Sequence, residues 1–203
     1  MSKTVRIALA LALLSILAAG VFLLARPAKP SAPPPRKARQ KLLERLPTVP
    51  PGEVSEGELK AAMILKIGEY VEWSAAPAAP GTPFVVGVLG DSAVGDHLVA
   101  LGPKTLKDGR SLKVLRVDDP LGTGPCHVVF IPEGWKDDWD LVLKDLGRAG
   151  LLLVGEEPGF LGAGGMIELR VRDRRLRFAL DPGRAERSGL KFVPQLVTLS
   201  ESP

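Results

Sequence analysis

Four short apolar runs set the limits on what this chain can fold into. FVVGVLG (84–90), SLKVLRV (111–117), CHVVFI (126–131) and LLLVGE (151–156) are each too short for an ordinary helix. The first and third are of the kind buried on both faces of a sheet, 111–117 alternates as a strand does, and 151–156 reads as a fourth strand. Helical stretches lie around them. Ser55 and Glu58 form an S-x-x-E capping box before LKAAMILKIGEYVEW, where Leu59, Ala62, Met63, Ile67, Tyr70 and Val71 share a face. SAVGDHLVALG (92–102) predicts a helix capped by Asp91 or Ser92 and closed by Gly102. WKDDWDLVLKDLG (135–147) predicts another, with an acidic first turn that suits the helix dipole. Strands alternating with helices imply an α/β sheet with parallel pairing. A length of 203 residues with a hydrophobic fraction of 45% accommodates one such domain with accessories.

The alternation breaks at PGFLGAGGMIELRV (158–171), which holds four glycines between Gly159 and Gly165. A glycine-rich stretch after a strand raises the question of a phosphate cradle. A dinucleotide fingerprint needs G-x-G-x-x-G leading into a helix, whose N-terminus meets the pyrophosphate. Here the sequence continues from Met166 as a strand, and no Lys-Ser/Thr completes a phosphate loop. The glycines read instead as a tight loop into a hairpin of 165–171 and 175–181, with Phe160 as its anchor. Ile167, Leu169 and Val171 point one way and Glu168, Arg170 and Arg172 the other. A short helix GRAERSGL and an apolar segment FVPQLVTL end the chain. The expected fold is α/β, a layered sandwich with a mostly parallel central sheet, a C-terminal β-hairpin and flanking helices.

The N-terminal arm differs from the body. Residues 7–25 carry no charge and follow Lys3 and Arg6. The stretch is long enough to span a bilayer, and it also has the layout of a secretory signal. Residues 1–25 are thus read as a signal peptide or an uncleaved membrane anchor. Seven Lys/Arg between Arg26 and Arg45 oppose export, since positive flanks prefer the cytoplasm. Residues 26–54 form a Pro-rich basic linker, semi-rigid and extended. Residues 1–52 hold nine of the 27 Lys/Arg and one of the 23 acids, Glu44; the remainder is therefore 18 against 22, a formal charge of about −4. A body of that sign is unsuited to binding nucleic acid.

Catalytic and metal chemistry find little material. Cys126 is the single cysteine, which rules out an internal disulfide and a cysteine-built zinc site; a buried thiol is the expectation. Cys126 and His127 are adjacent, so in a strand they face opposite ways. The aspartates of WKDDWD do not have the spacing of a calcium loop. LGDSAVG (89–95) resembles the Gly-Asp-Ser block of GDSL-type hydrolases. Ser92 would be the nucleophile there, but the family's downstream Asp-x-x-His base is missing, and a helix cap is the simpler role. Neither metal nor cofactor is expected. Arg170, Arg172, Arg174, Arg175 and Arg177 crowd the hairpin, either as a solvated face or as an anion- or partner-binding patch.

Several segments together resemble the YfiR-like family, also called the DUF4154 domain. They are LKAAMILKIGEYVEW, VVGVLGDSAVGDHL, CHVVFI, LLVGEEPGFLGAGGMIELRVRDRRLRFALD and SGLKFVPQLVTL, in that order. The resemblance spans 59–199 and makes 55–203 the YfiR-like α/β domain. It implies a non-catalytic exported regulator that contacts a membrane signalling protein, a diguanylate cyclase or a sensor kinase, from the periplasmic side. In the name-giving member, release of the cyclase raises cyclic di-GMP and promotes biofilm. That type has structural disulfides, which a chain with Cys126 alone cannot form. The implied location is the periplasm, with anchoring to the inner membrane if 7–25 is uncleaved; a homodimer is left open. Residues expected to meet the partner are Glu72 and Trp73, at the end of the first helix, and Phe160, Gly164, Gly165 and Met166 in the glycine segment. The alternative is a periplasmic small-molecule-binding domain using the carboxyl ends of the strands.

Overall fold

The computed structural model describes residues 54–73, 81–135, 143, 146–147, 149–172 and 175–201. The apolar segment 7–25, the linker up to residue 53, Arg174 and most of the expected helix 135–147 lie outside the described residues. The central sheet has six strands: β2 (Phe84–Leu89), β3 (Leu112–Val117), β4 (Val128–Ile131), β5 (Leu152–Gly155), β6 (Ile167–Arg172) and β7 (Arg175–Leu180). Their order is β3-β2-β4-β5-β6-β7. All pairings are parallel except the antiparallel β6–β7 hairpin. The mostly parallel sheet and C-terminal hairpin are as expected. A second sheet has two antiparallel strands, β1 (Val71–Trp73) and β8 (Leu190–Phe192).

Helix α1 (Glu56–Gly68) starts where the capping box places it, with the Ser55 hydroxyl accepting from the Glu58 amide at 3.1 Å. It ends five residues earlier than the sequence pattern suggests. Glu72 and Trp73 are therefore not a helix end but part of β1, whose partners are Lys191 and Leu190. Tyr70 closes the helix by donating to the Ile67 carbonyl. The backbone beyond it then takes its hydrogen bonds from β8, a pairing that suits β-branched Val71 and aromatic Trp73. Helix α2 (Ala93–Ala100) is capped by Ser92, not Asp91; the Ser92 hydroxyl accepts from the Gly95 amide at 3.0 Å.

The two faces of the sheet are covered differently. Gly68 of α1 sits over the Phe84 ring and Gly95 of α2 over Val88, so these two helices cover the face of Phe84, Val86 and Val88. The opposite face is covered near β5 and β6 by a one-turn helix, α3 (Phe160–Ala163). Helices α4 (Pro182–Arg187) and α5 (Pro194–Leu199) flank β8. Cys126 and His127 precede β4 instead of belonging to it, yet they do face opposite ways. Buried Cys126 lies against Gly87, and His127 packs on Phe84.

Candidate functional site

Three places in the domain have the residues and the geometry to carry function. The first is at the amino end of β2. The rings of Trp73, Phe84 and His127 form a triad, with Trp73 edge-on to Phe84 at 5.9 Å and to His127 at 6.0 Å. His127 Nδ1 accepts from the Val85 amide at 3.1 Å, which needs the lone pair on that nitrogen. The Arg110 guanidinium lies 4.7 Å above the Phe84 ring, a cation–π contact. Asp108 holds Arg110 there through Nε at 2.7 Å, and this hydrogen bond keeps the Asp108 carboxyl below its ordinary range. Beside Arg110 is a half-open cleft of about 260 Å³ lined by Leu65, Tyr70, Phe84, Leu106, Lys107 and Arg110, among others. Glu69 on its rim pairs with Lys66 at 2.8 Å and Lys107 at 3.2 Å. Burial pushes the Glu69 carboxyl up, but the two ammonium groups outweigh it and hold the group below its ordinary range. The cleft thus has an apolar floor and a rim whose charges are already paired.

The second place is the carboxyl end of β2 and β4, where the strand order reverses and where open parallel sheets usually bind ligands. Here the Trp135 ring lies over Gly90, so close that a Cβ on Gly90 would be 2.7 Å from it. Lys60 reaches in from α1 between Glu56 and Glu156. Burial works against its charge, but the two carboxylates raise its pKa above the ordinary value. Glu156 also accepts from the Glu133 amide. Side chains of the protein itself occupy this crevice. Ser92 is used as a cap, and the hydroxyl bonded to His97 Nε2 at 2.8 Å is that of Ser55. Hydrolase geometry at Ser92 is not supported.

The third place is the glycine segment. Gly159 (φ 90°) and Gly164 (φ 122°) start and end the single turn of α3 in backbone regions that suit glycine. That turn drives Phe160 into the core, where it is 1% exposed. A Cβ on Gly165 would overlap the Phe160 ring, and one on Gly155 would come within 2.7 Å. Met166 is 2% exposed. The segment is a buried latch, not an open loop. Of the six residues expected to meet a partner, Phe160, Gly164, Gly165 and Met166 are buried here. Glu72 is exposed on β1, 3.8 Å from Lys191, and Trp73 is half-buried with a buried indole Nε1 that has no hydrogen-bond partner among the described residues. The cleft formed by Tyr70, Phe84 and Arg110 escaped sequence reasoning, since these residues come from three separate stretches of the chain and form no local motif.

Comparison with known proteins places this domain. The model of the family described as YfiR/HmsC-like, DUF4154, matches residues 57–201. No curated protein matches the chain. The chain belongs to the YfiR/HmsC-like family.

Proposed function

We propose that this YfiR/HmsC-like protein is a non-catalytic regulator that acts by contacting a membrane signalling protein, a diguanylate cyclase or a sensor kinase, from the periplasmic side. The observation that carries the reading is the family match, which spans 57–201 and so takes in all eight strands among the described residues. In this reading residues 1–25 direct export or anchor the chain in the inner membrane, 26–54 form a tether, and 55–203 form the regulatory domain. A basic, proline-rich tether would raise the domain's effective concentration at a membrane partner. Glu72 and Trp73 are the partner-facing residues of β1, and the Phe160–Met166 latch supports the fold. Purification from solubilised membranes tests the proposal. Co-isolation of a diguanylate cyclase or a sensor kinase is the expected result, and recovery of the chain with no membrane protein overturns it.

A second reading has its own observation, the 260 Å³ cleft of Phe84, Tyr70 and Arg110. A small ligand with an apolar ring would fit its floor. A metabolite that raises the melting temperature of the wild type, but not of Phe84→Leu, would favour a small-molecule-binding domain.

A further inference from the structure

The register of the β6–β7 hairpin turns a sequence cluster into a defined surface. Arg170 is directly opposite Arg177, and Arg172 directly opposite Arg175. Residues opposite one another on an antiparallel pair project from the same face. The Cα positions of the four arginines therefore mark a rectangle, about 5 Å across the strands and about 6.7 Å along them, with all four side chains on one face.

Like charges directly opposite in a sheet are destabilising. Among the described residues, two carboxylates relieve one edge of this rectangle, that of Arg170 and Arg177. Glu168, 1% exposed on the same face, accepts from Arg170 Nε at 2.6 Å. Glu201 lies 3.7 Å from Arg177. Arg172 and Arg175 are exposed and have no ion pair among the described residues. This concentration of positive charge stands on a body whose formal charge is about −4.

We infer that this face docks an extended acidic segment of a protein partner, with carboxylates at alternate residues. Three observations select that occupant. The charge without an ion pair among the described residues is positive, so the complement is an anion. All four groups are arginines, whose planar forks bind carboxylates bidentately, whereas lysine would serve as a point charge. The repeat along the strand is that of alternate side chains in an extended chain, about 6.7 Å. An Asp/Glu-x-Asp/Glu stretch therefore presents one carboxylate to exposed Arg172 or Arg175 and the next to Arg170 or Arg177 on the same strand, the latter shared with Glu168 or Glu201. The inference deepens the regulator reading and rests on it in one respect, that the partner is a protein.

The test uses the full-length protein in detergent and a fluorescent peptide alternating Glu and Thr. A second peptide has the same composition with its glutamates in one block. Fluorescence anisotropy is expected to show wild type binding the alternating peptide more tightly than the block peptide. The variant Arg172→Glu/Arg175→Glu is expected to bind at least about tenfold more weakly, because like charges then face each other across the contact. Arg172→Gln/Arg175→Gln, which removes charge without reversing it, is expected to weaken binding in the same direction. Equal binding by wild type and both variants overturns the inference, because the basic arm would then be the binder. Equal affinity for the two peptides also overturns it, leaving bulk charge alone. So does sedimentation with phosphatidylglycerol vesicles that needs Arg172 and Arg175 when neither peptide binds, which would make the partner a lipid surface. Peptide binding without a co-isolated membrane protein keeps the surface and rejects the regulator reading. A co-isolated cyclase that both variants still hold does the reverse.

Discussion

The two ends of one strand carry the two most unusual compositions in the domain, and they are resolved in opposite ways. Before β6, the glycines at 159, 164 and 165 surround Phe160, and every demand they raise is met inside the molecule. The positive φ angles form the turn, and the missing side chains make room for the ring. Toward the tip of the β6–β7 hairpin, Arg172 and Arg175 raise a demand that no described residue meets. The contrast teaches that an odd composition is not in itself a site. What separates latch from surface is whether the neighbouring atoms already satisfy it.

The largest effect expected from this contrast is at the latch. Phe160→Ala should cost about 3–5 kcal/mol, as aromatic truncations in a packed core do. For a domain of this size that is a fall of roughly 6–20 °C in Tm, read by thermal denaturation. The folded fraction should keep its partner affinity. Unchanged Tm with lost binding would break the comparison, because the latch would then be an interface. Next comes Gly165→Ala, whose methyl must displace the Phe160 ring. A loss of about 1–3 kcal/mol is expected, the usual cost of overpacking, and denaturant titration measures it. The smallest effect has the opposite sign. Arg172→Glu replaces a like-charge cross-strand pair with an opposite one, so stability should rise by about 0.2–1 kcal/mol, less at high salt. A clear loss of stability would mean that Arg172 is held by contacts inside the fold.

Much of this architecture was legible before any coordinates. The strands at 84–89, 112–117 and 152–155 are each a short apolar run bounded by turn residues, and strand identity is written in such local periodicity. The caps at Ser55 and Ser92 were readable for the same reason, since a hydroxyl reaches the amide three residues on without help from the rest of the chain. The hairpin and its alternation were also plain, but alternation alone did not show that Glu168, on the face of the arginines, is buried with Arg170 as its partner.

What the sequence by itself determined, then, is everything whose cause lies within a few residues: the alternating elements, the helix starts, the hairpin, and the lack of cysteine pairs. Three outcomes were decided only in the tertiary structure. Val71–Trp73 left the helix because its backbone found β8 at the far end of the chain. The cleft formed because Tyr70, Phe84 and Arg110 were brought together from separate stretches of the chain. The glycines became a latch because Phe160 needed the space that two missing Cβ atoms leave. The physical reason is common to all three. Propensity and capping act between near neighbours, whereas pairing, packing and exclusion of side chains depend on which surfaces the completed sheet presents to one another.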